Sequence, residues 1–208
     1  MPELREEIET LFSQSPAEYT GDPVDVFRRF MLALNRGEIR AAEPDPSSPF
    51  GWRVNAWVKQ GILLGFRMGK IVDMSAGGLP FRDKDTYPLR RLGDGVRVVP
   101  GGSSIRDGVF LGKGVTCMPP MYINAGAWVD DGTLVDSHAL VGSCAQVGKR
   151  VHLSAAAQLG VNAVEGSRGF VFNGDPSSIV QFYEIGTSLT GMTPYRWMDD
   201  ESTRSELT

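Results

Sequence analysis

The chain has 208 residues, of which 41% are hydrophobic and 22% charged, and its net charge at neutral pH is −4. This length is sufficient for one sizeable hydrophobic core or for two small domains. The acidic balance argues against a nucleic-acid binder, which needs a basic surface, and no apolar run approaches the roughly 18 residues that a membrane span requires.

Three helices are predicted in the N-terminal part of the chain, from the spacing of apolar residues along one face. They cover approximately residues 2–12, 23–36 and 54–68. Asp22 and Pro23 suit the cap and first turn of the second helix, and Gly37 suits its end. Glycines at 61 and 65 weigh against the third helix, because glycine lowers helix stability.

A strict six-residue repeat begins at residue 105. Its first position is aliphatic or cysteine in ten successive units: Ile105, Leu111, Cys117, Ile123, Val129, Val135, Val141, Val147, Leu153 and Leu159. The position four residues later is small or of medium size: Val109, Val115, Met121, Ala127, Thr133, Ala139, Ala145, Val151, Ala157 and Ala163. The place after the aliphatic residue is often glycine, asparagine, aspartate or serine, as in Gly112, Asn124, Asp130, Asp136, Gly142, Gly148, Ser154 and Gly160.

This repeat predicts a parallel β-helix, in which each hexad forms one flat side and three hexads close a triangular coil. A helix of period 3.6 cannot hold a period of six, and a hairpin array shows turn signals at wider spacing. The alternative is a chance alternation inside a β-sandwich. In the β-helix the aliphatic residues point inward, and we expect the glycine and Asx residues after them to adopt the corner backbone, including φ > 0.

The fold class expected is therefore mainly β, a parallel β-helix of hexapeptide repeats behind an α-helical N-terminal domain. The predicted division places the helical domain at 1–95, the β-helix at 96–164 and a divergent C-terminal segment at 165–208. The last segment lacks the period and is rich in glycine, serine and asparagine in its first part.

Several strings in the repeat closely resemble tetrahydrodipicolinate N-succinyltransferases. They are VTCMPPMYIN at 115–124, GAWVD at 126–130, GTLVD at 132–136, VGSCAQVGK at 141–149 and VHLS at 151–154. GVRVVP at 95–100 and WVKQGILLGFR at 57–67 look like the same family, so the resemblance covers roughly residues 1–160. It implies a trimeric, cytoplasmic, left-handed β-helix enzyme that transfers succinyl from succinyl-CoA to the amino group of ring-opened tetrahydrodipicolinate.

The chain departs from the family's pattern after Leu159-Gly160. The family continues with a GGVLEP string and further coils that help to form the CoA site and carry a catalytic glutamate, whereas this chain has VNAVEGSR at 161–168. Glu165 and Glu184 lie outside the family's motif, so no role is transferred to them, and no cofactor-binding residue is assigned. Residues 161–208 therefore decide whether a CoA site is complete.

Asp136 and Arg97 are the candidate site residues. Succinyl transfer needs a carboxylate that accepts or orients a proton of the amine, and Asp136 matches the catalytic or substrate-binding aspartate of the family. Arg97 matches its substrate-binding arginine, and a guanidinium fork suits a dicarboxylate substrate. The alternatives are a solvated corner aspartate, as at Asp130 or Asp131, and a surface arginine.

The chain contains only two histidines, His138 and His152. They cannot supply the three ligands of a β-helix carbonic anhydrase from equivalent positions, so no metal is expected. We expect His138 at the rim of the site and His152 at an external corner. Cys117 and Cys144 are interpreted as packing residues, and so small a number of cysteines predicts a reducing cytoplasm.

The function predicted is succinyl transfer from succinyl-CoA to tetrahydrodipicolinate, in lysine and diaminopimelate biosynthesis. Asp136 would act on the nucleophile and Arg97 would bind a substrate carboxylate, with succinyl-CoA as co-substrate and no bound cofactor. The expected assembly is a homotrimer with clefts between subunits, without nucleic-acid or membrane partners. The alternative is a catalytically silent trimeric binding or assembly protein that lacks a complete CoA site.

Overall fold

The computed structural model describes residues 2–48 and 51–159, and the backbone of three later strands. The α-helices among them are α1 (Pro2–Ser13), α2 (Pro23–Arg36) and α3 (Ala56–Met68), and a 3-10 helix lies at Pro16–Glu18. All three predicted helices are confirmed. The third begins later than expected because β2 (Trp52–Val54) pairs with β1 (Ala42–Pro44) in a short antiparallel sheet. A second such pair joins β3 (Ile71–Asp73) and β4 (Arg82–Lys84).

The ends of α2 follow the predicted local chemistry. The Asp22 carboxylate accepts a hydrogen bond from the backbone N–H of Asp25 at 3.0 Å, which satisfies a free donor of the first turn. Gly37 ends the helix with φ of 71°, a left-handed conformation that glycine adopts without steric cost. The sequence therefore sets both ends of this helix locally.

Two glycines inside α3 have a packing reason. A Cβ at Gly61 would lie 2.5 Å from Cζ of Phe30, and one at Gly65 would lie 2.2 Å from Cζ of Phe27. Both phenylalanines are buried residues of α2 and belong to the core that the helices share. The loss of helix propensity at the two glycines is thus offset by the close approach of α2 to α3.

The repeat forms a parallel β-solenoid, and the predicted left-handed β-helix with an α-helical N-terminal domain is confirmed as the fold class. Its strands are β5 (Arg97–Val98), β6 (Ser104–Ile105), β7 (Phe110–Leu111), β8 (Thr116–Cys117), β9 (Tyr122–Ile123), β10 (Trp128–Val129), β11 (Leu134–Val135), β12 (Leu140–Val141), β13 (Gln146–Val147), β14 (His152–Leu153) and β15 (Gln158–Leu159). They form three sheets, ordered β5-β8-β11-β14, β6-β9-β12-β15 and β7-β10-β13. From β6 onward partners are 18 residues apart, as Leu134 and His152 are, so that three hexads make one coil, while Arg97 of β5 pairs with Thr116 at a separation of 19.

The interior of the solenoid contains both predicted columns. The aliphatic column is fully buried from Ile123 to Val147, and Val109, Val115, Ala127, Thr133, Ala139 and Ala145 are buried in the second column. Stacked aliphatic side chains bury a continuous apolar core that no single coil could form alone.

The prediction that the residue directly after the aliphatic one adopts positive φ is wrong. Positive φ occurs three residues after the aliphatic position, at Gly108, Gly114, Gly126, Gly132, His138, Cys144, Arg150 and Ala156. The residue directly after the aliphatic one still belongs to the ladder, because the N–H of Asp136, for example, donates to the carbonyl of Leu153 at 3.0 Å. The chain therefore turns two residues later, and among the described residues none of those predicted directly after the aliphatic position is left-handed.

The helices pack against one face of the solenoid. The outward residues of β7, β10 and β13 are Phe110, Trp128 and Gln146, and they form what we call the covered face. Gly37 is so close to the first two rings that an added Cβ would lie 2.6 Å from Phe110. Asn35 also donates to the carboxylate of Asp107 at 2.8 Å, which ties α2 to the solenoid.

The backbone described beyond residue 159 continues the third sheet. Strand β16 (Gly169–Asn173) pairs in parallel with β13, and Val171 lies opposite Gln146, a separation of 25 residues instead of 18. Strands β17 (Gln181–Ile185) and β18 (Tyr195–Arg196) follow in antiparallel order. The predicted end of the β-helix at 164 lies outside the described residues, as does most of the predicted segment 165–208.

Candidate active site

Asp136 lies immediately after β11, two residues beyond the outward-facing Leu134. Its Oδ1 accepts a hydrogen bond from the backbone N–H of Ser137 at 2.7 Å, and its Oδ2 lies 3.2 Å from Nε2 of His152. The side chain is 29% exposed, so it is in contact with solvent but restricted in its motion. The pKa of Asp136 is below its usual value, first because of the Ser137 N–H and then because of His152. The carboxylate is therefore ionised at neutral pH.

His152 is a functional candidate that the sequence analysis missed. We expected it at an external corner, but it occupies the outward position of β14, opposite Leu134 of β11. Its side chain is 59% exposed and reaches the carboxylate of Asp136 from the next coil. The coil period of 18 residues could have predicted this neighbour, because it places residue 152 beside residue 134.

Arg97 lies on the same face as this pair. The outward residues of β5, β8, β11 and β14 are Arg97, Thr116, Leu134 and His152, and we call this row the open face. Arg97 is exposed, and two strand spacings, about 10 Å, separate its backbone from that of Leu134. The structure thus brings both predicted site residues to one face, two coils apart, where an extended side chain or a small ligand can bridge the interval.

The corner aspartates offer a contrast with Asp136. Asp131 accepts hydrogen bonds from Nζ of Lys149 at 3.0 Å and from the backbone N–H of Lys113 at 2.9 Å. Nζ of Lys149 also lies 4.0 Å from Oδ1 of Asp130, so a permanent positive charge faces both carboxylates. Asp136 has a histidine partner instead, which can donate a hydrogen bond while neutral. The negative charge of the Asp136 carboxylate is therefore available to interact with an amine.

The remaining candidates have limited chemistry. His138 is exposed at a corner with φ of 61°. Burial raises the pKa of Cys117 to about 11 and also raises that of Cys144, which disfavours thiolate chemistry at neutral pH and fits their interpretation as packing residues. Within the described part of the chain no three His, Cys, Asp or Glu side chains are grouped to hold a metal ion.

A groove of about 560 Å³ lies elsewhere, on the helical region. It is lined mainly by apolar residues of α2 and by the segment around residue 86, and neither Asp136 nor Arg97 contributes to it. No helix in the described ranges has the length and apolar character needed to cross a membrane.

Comparison with known proteins identifies relatives of both regions. The family described as tetrahydrodipicolinate N-succinyltransferase N-terminal matches residues 3–68. A 2,3,4,5-tetrahydropyridine-2,6-dicarboxylate N-succinyltransferase of Sodalis glossinidius is 37% identical over 172 residues, which are 77% of this chain and 60% of that protein. The protein of the same name from Xylella fastidiosa is 38% identical over 179 residues, 79% of this chain and 62% of the relative.

A third protein of this name, from Polynucleobacter asymbioticus, is 41% identical over 153 residues, or 70% of this chain and 54% of its own length. The chain thus spans between half and two thirds of the length of these relatives. The similarity includes the helical region and extends into the solenoid, where Asp136 and Arg97 lie.

Proposed function

Because the chain belongs to the tetrahydrodipicolinate N-succinyltransferase family through both its helical region and its solenoid, we propose that it is an acyltransferase. The reaction proposed is transfer of succinyl from succinyl-CoA to the amino group of ring-opened tetrahydrodipicolinate, a step of lysine and diaminopimelate biosynthesis. The observation that carries this proposal is the anchored, ionised carboxylate of Asp136 on the same open face as Arg97.

Asp136 is the group proposed to act on the nucleophile. In the reaction the amine nitrogen forms an amide bond to the succinyl carbonyl carbon, the thioester C–S bond breaks, and the sulfur leaves as the CoA thiol. The nitrogen must lose a proton as it attacks. A carboxylate that accepts a hydrogen bond from this N–H orients the lone pair toward the thioester and stabilises the positive charge that develops on nitrogen.

Arg97 is the proposed binding group for a carboxylate of the substrate. A guanidinium donates two parallel hydrogen bonds to one carboxylate, which fixes the plane of that group as well as its position. Asp136 would repel a carboxylate and attract an amine, so the two residues give the open face a polarity that matches an amino dicarboxylate. This pattern of charge supports the assignment of the acceptor substrate.

The assembly and location proposed are a cytoplasmic homotrimer with no bound cofactor and no nucleic-acid or membrane partner. In such an assembly the open face of one protomer would border a cleft, and small-molecule sites favour clefts of this kind. The division into 1–95, 96–164 and 165–208 is part of this proposal. Donor-binding residues are not assigned.

A second candidate function is that of a catalytically silent trimeric binding or assembly protein. The observation that favours it is the departure of the sequence from the family's pattern after Leu159-Gly160, in the region where the relatives' CoA-binding coils are expected. Such a protein would still bind the dicarboxylate through Arg97 but would not release CoA.

The test of the enzyme proposal is thiol release from succinyl-CoA in the presence of the cyclic substrate or its amine analogue. We expect the wild-type chain to release thiol and Asp136→Asn to lose activity by about 10²- to 10⁴-fold, the usual contribution of a positioned acid–base group. Asp131→Asn is the matched control, since that carboxylate faces lysine at a corner. Wild-type release no greater than that of Asp136→Asn, with the assembly intact by light scattering, would exclude the enzyme proposal.

Calorimetric binding of the dicarboxylate alone tests Arg97. Arg97→Ala is expected to weaken binding by about tenfold or more, since a charge-assisted hydrogen bond contributes about 1.5–3 kcal/mol. Arg150→Ala, at an exposed corner of the solenoid, is the control and should bind as the wild type does. Binding that depends on Arg97 without any thiol release would favour the silent protein, and equal binding by both variants would refute the role of Arg97.

A further inference from the structure

The two oxygens of the Asp136 carboxylate are held by different parts of the chain. Ser137 holds Oδ1 through its backbone N–H at 2.7 Å, within the same corner. Oδ2 lies 3.2 Å from Nε2 of His152, which comes from the next coil. We infer that His152 is a positioning residue for Asp136, which fixes the carboxylate toward the substrate amine on the open face. This inference rests on the proposed function and assigns a role within the same site.

The backbone that carries this pair is rigid. The N–H of Asp136 donates to the carbonyl of Leu153 at 3.0 Å, and the N–H of Leu134 donates to the carbonyl of Val151 at 2.8 Å. The aliphatic residues next to the pair, Val135 and Leu153, are buried in the solenoid core. Because both side chains project from strands locked in one ladder, the distance between them is set by the coil spacing and not by a mobile loop.

Histidine suits this position better than the lysine used at the neighbouring corner. Lys149 brings a permanent charge to Asp130 and Asp131 on a flexible stem. A neutral imidazole donates a hydrogen bond in a fixed plane and leaves the carboxylate its negative charge. A neutral His152 with its proton on Nε2 would therefore restrict the carboxylate without cancelling the charge that the amine needs.

Without His152, the carboxylate would keep only the Ser137 contact and could rotate about its side-chain bonds. The carboxylate would then have to be oriented again in each reaction, and the lost rotational entropy would raise the activation free energy of the chemical step. We expect His152→Ala to lower kcat by about tenfold, the lower end of what a hydrogen bond to a charged group contributes, and to leave KM for the dicarboxylate nearly unchanged. His152→Gln places an amide N–H close to the position of Nε2 and should restore much of the loss.

Carboxyl ¹³C NMR titration gives a readout that does not require activity. The Asp136 resonance is identified by its absence in Asp136→Asn. In His152→Ala the pKa of Asp136 should rise, because one of the two groups that lower it is gone, and it should stay below the usual value because the Ser137 N–H remains. Gln158→Ala removes an exposed outward side chain from β15 and should leave this pKa unchanged.

The two measurements have separate outcomes. A raised Asp136 pKa in His152→Ala, together with a kcat loss that His152→Gln restores and Gln158→Ala does not show, supports the positioning role. An unchanged pKa in His152→Ala, or a kcat equal to that of Gln158→Ala, would overturn it. A wild-type chain without thiol release would contradict the proposed function. The Asp136–His152 contact would then be tested only by whether the pKa of Asp136 rises in His152→Ala.

Discussion

The covered face and the open face of the solenoid share one backbone repeat and differ in what lies outside it. On the covered face, the rings of Phe110 and Trp128 stack with centroids 3.9 Å apart, beneath the end of α2. On the open face, the outward positions of β5 and β14 are occupied by Arg97 and His152, which are both exposed. The inward residues are alike on both faces, so the hexad repeat stabilises the coil. The outward residues decide whether a face packs against the helices of the same chain or remains available to a ligand.

Arg40 illustrates how the covered face is held together. Its guanidinium lies 4.1 Å from the ring centroid of Trp128 and its Nε donates to Oε1 of Gln146 at 2.9 Å. Burial lowers the pKa of Arg40 to about 10, while Asp130 and Glu43 oppose this shift, so the side chain remains charged at neutral pH. A partly buried cation therefore joins the helical region to the strands, whereas Arg97, on the open face, is exposed.

Trp128→Ala should produce the largest loss of stability of the substitutions compared between the faces. It removes the stacking with Phe110 and the cation–π contact of Arg40, and we expect the free energy of unfolding to fall by about 3 kcal/mol. Thermal unfolding measures this as a decrease in Tm of about 6–12 °C for a chain of this size. Thr116→Ala, at the outward position of the open face, is the matched control, and equal losses would show that the two faces do not differ in this way.

Gln146→Ala and Gln158→Ala compare one residue type at the same position of two strands. Gln146 is completely buried, accepts from Arg40 and donates to the carbonyl of Cys144 at 3.0 Å. Its removal leaves a partly buried guanidinium N–H without this partner and should cost about 2 kcal/mol, whereas Gln158 is exposed and should cost less than about 0.5 kcal/mol.

Urea unfolding of the two glutamine variants, followed by circular dichroism, gives both free energies. If Gln158→Ala proves as costly as Gln146→Ala, the face that carries β15 must itself be covered in the assembled protein. That result would identify this face as the surface buried between protomers.

The inward columns could be predicted from the sequence because their rule is local. Every coil repeats the same steric demand, and a residue such as Val135 meets that demand at its own position in the hexad. The ends of α2 were also predictable, because Asp22 and Gly37 act on backbone groups within four residues. In both cases the sequence contains all the atoms that determine the outcome within a short window.

The hexad rule alone does not give the partners of outward residues, although the 18-residue coil period places His152 beside the strand that precedes Asp136. His152 meets Asp136 only because three hexads close one coil, and Arg40 meets Trp128 only after the helices pack on the solenoid. Gly112 and Gly142 resemble turn signals in the sequence, and for this reason the left-handed conformation is predicted at the wrong position. At position 112 the glycine instead allows the next coil to approach, since an added Cβ would lie 2.4 Å from the backbone nitrogen of Asp131.

Lys149→Ala should have the smallest effect, because its ion pair belongs to an exposed corner outside both faces. Lys149 and Asp131 are both about half exposed, so solvent weakens their attraction, and at pH 7 we expect a change in Tm smaller than that of Gln146→Ala. The pKa of Asp131 is lowered first by Lys149 and then by the Lys113 N–H. Any stability from the pair is therefore present above the ordinary aspartate pKa and is lost as pH falls through the lower value of the folded protein. Thermal unfolding of both proteins at pH 7 and near pH 2.5 checks this sign. A difference that stayed the same in acid would mean that Lys149 supports the coil through its aliphatic stem instead of its charge.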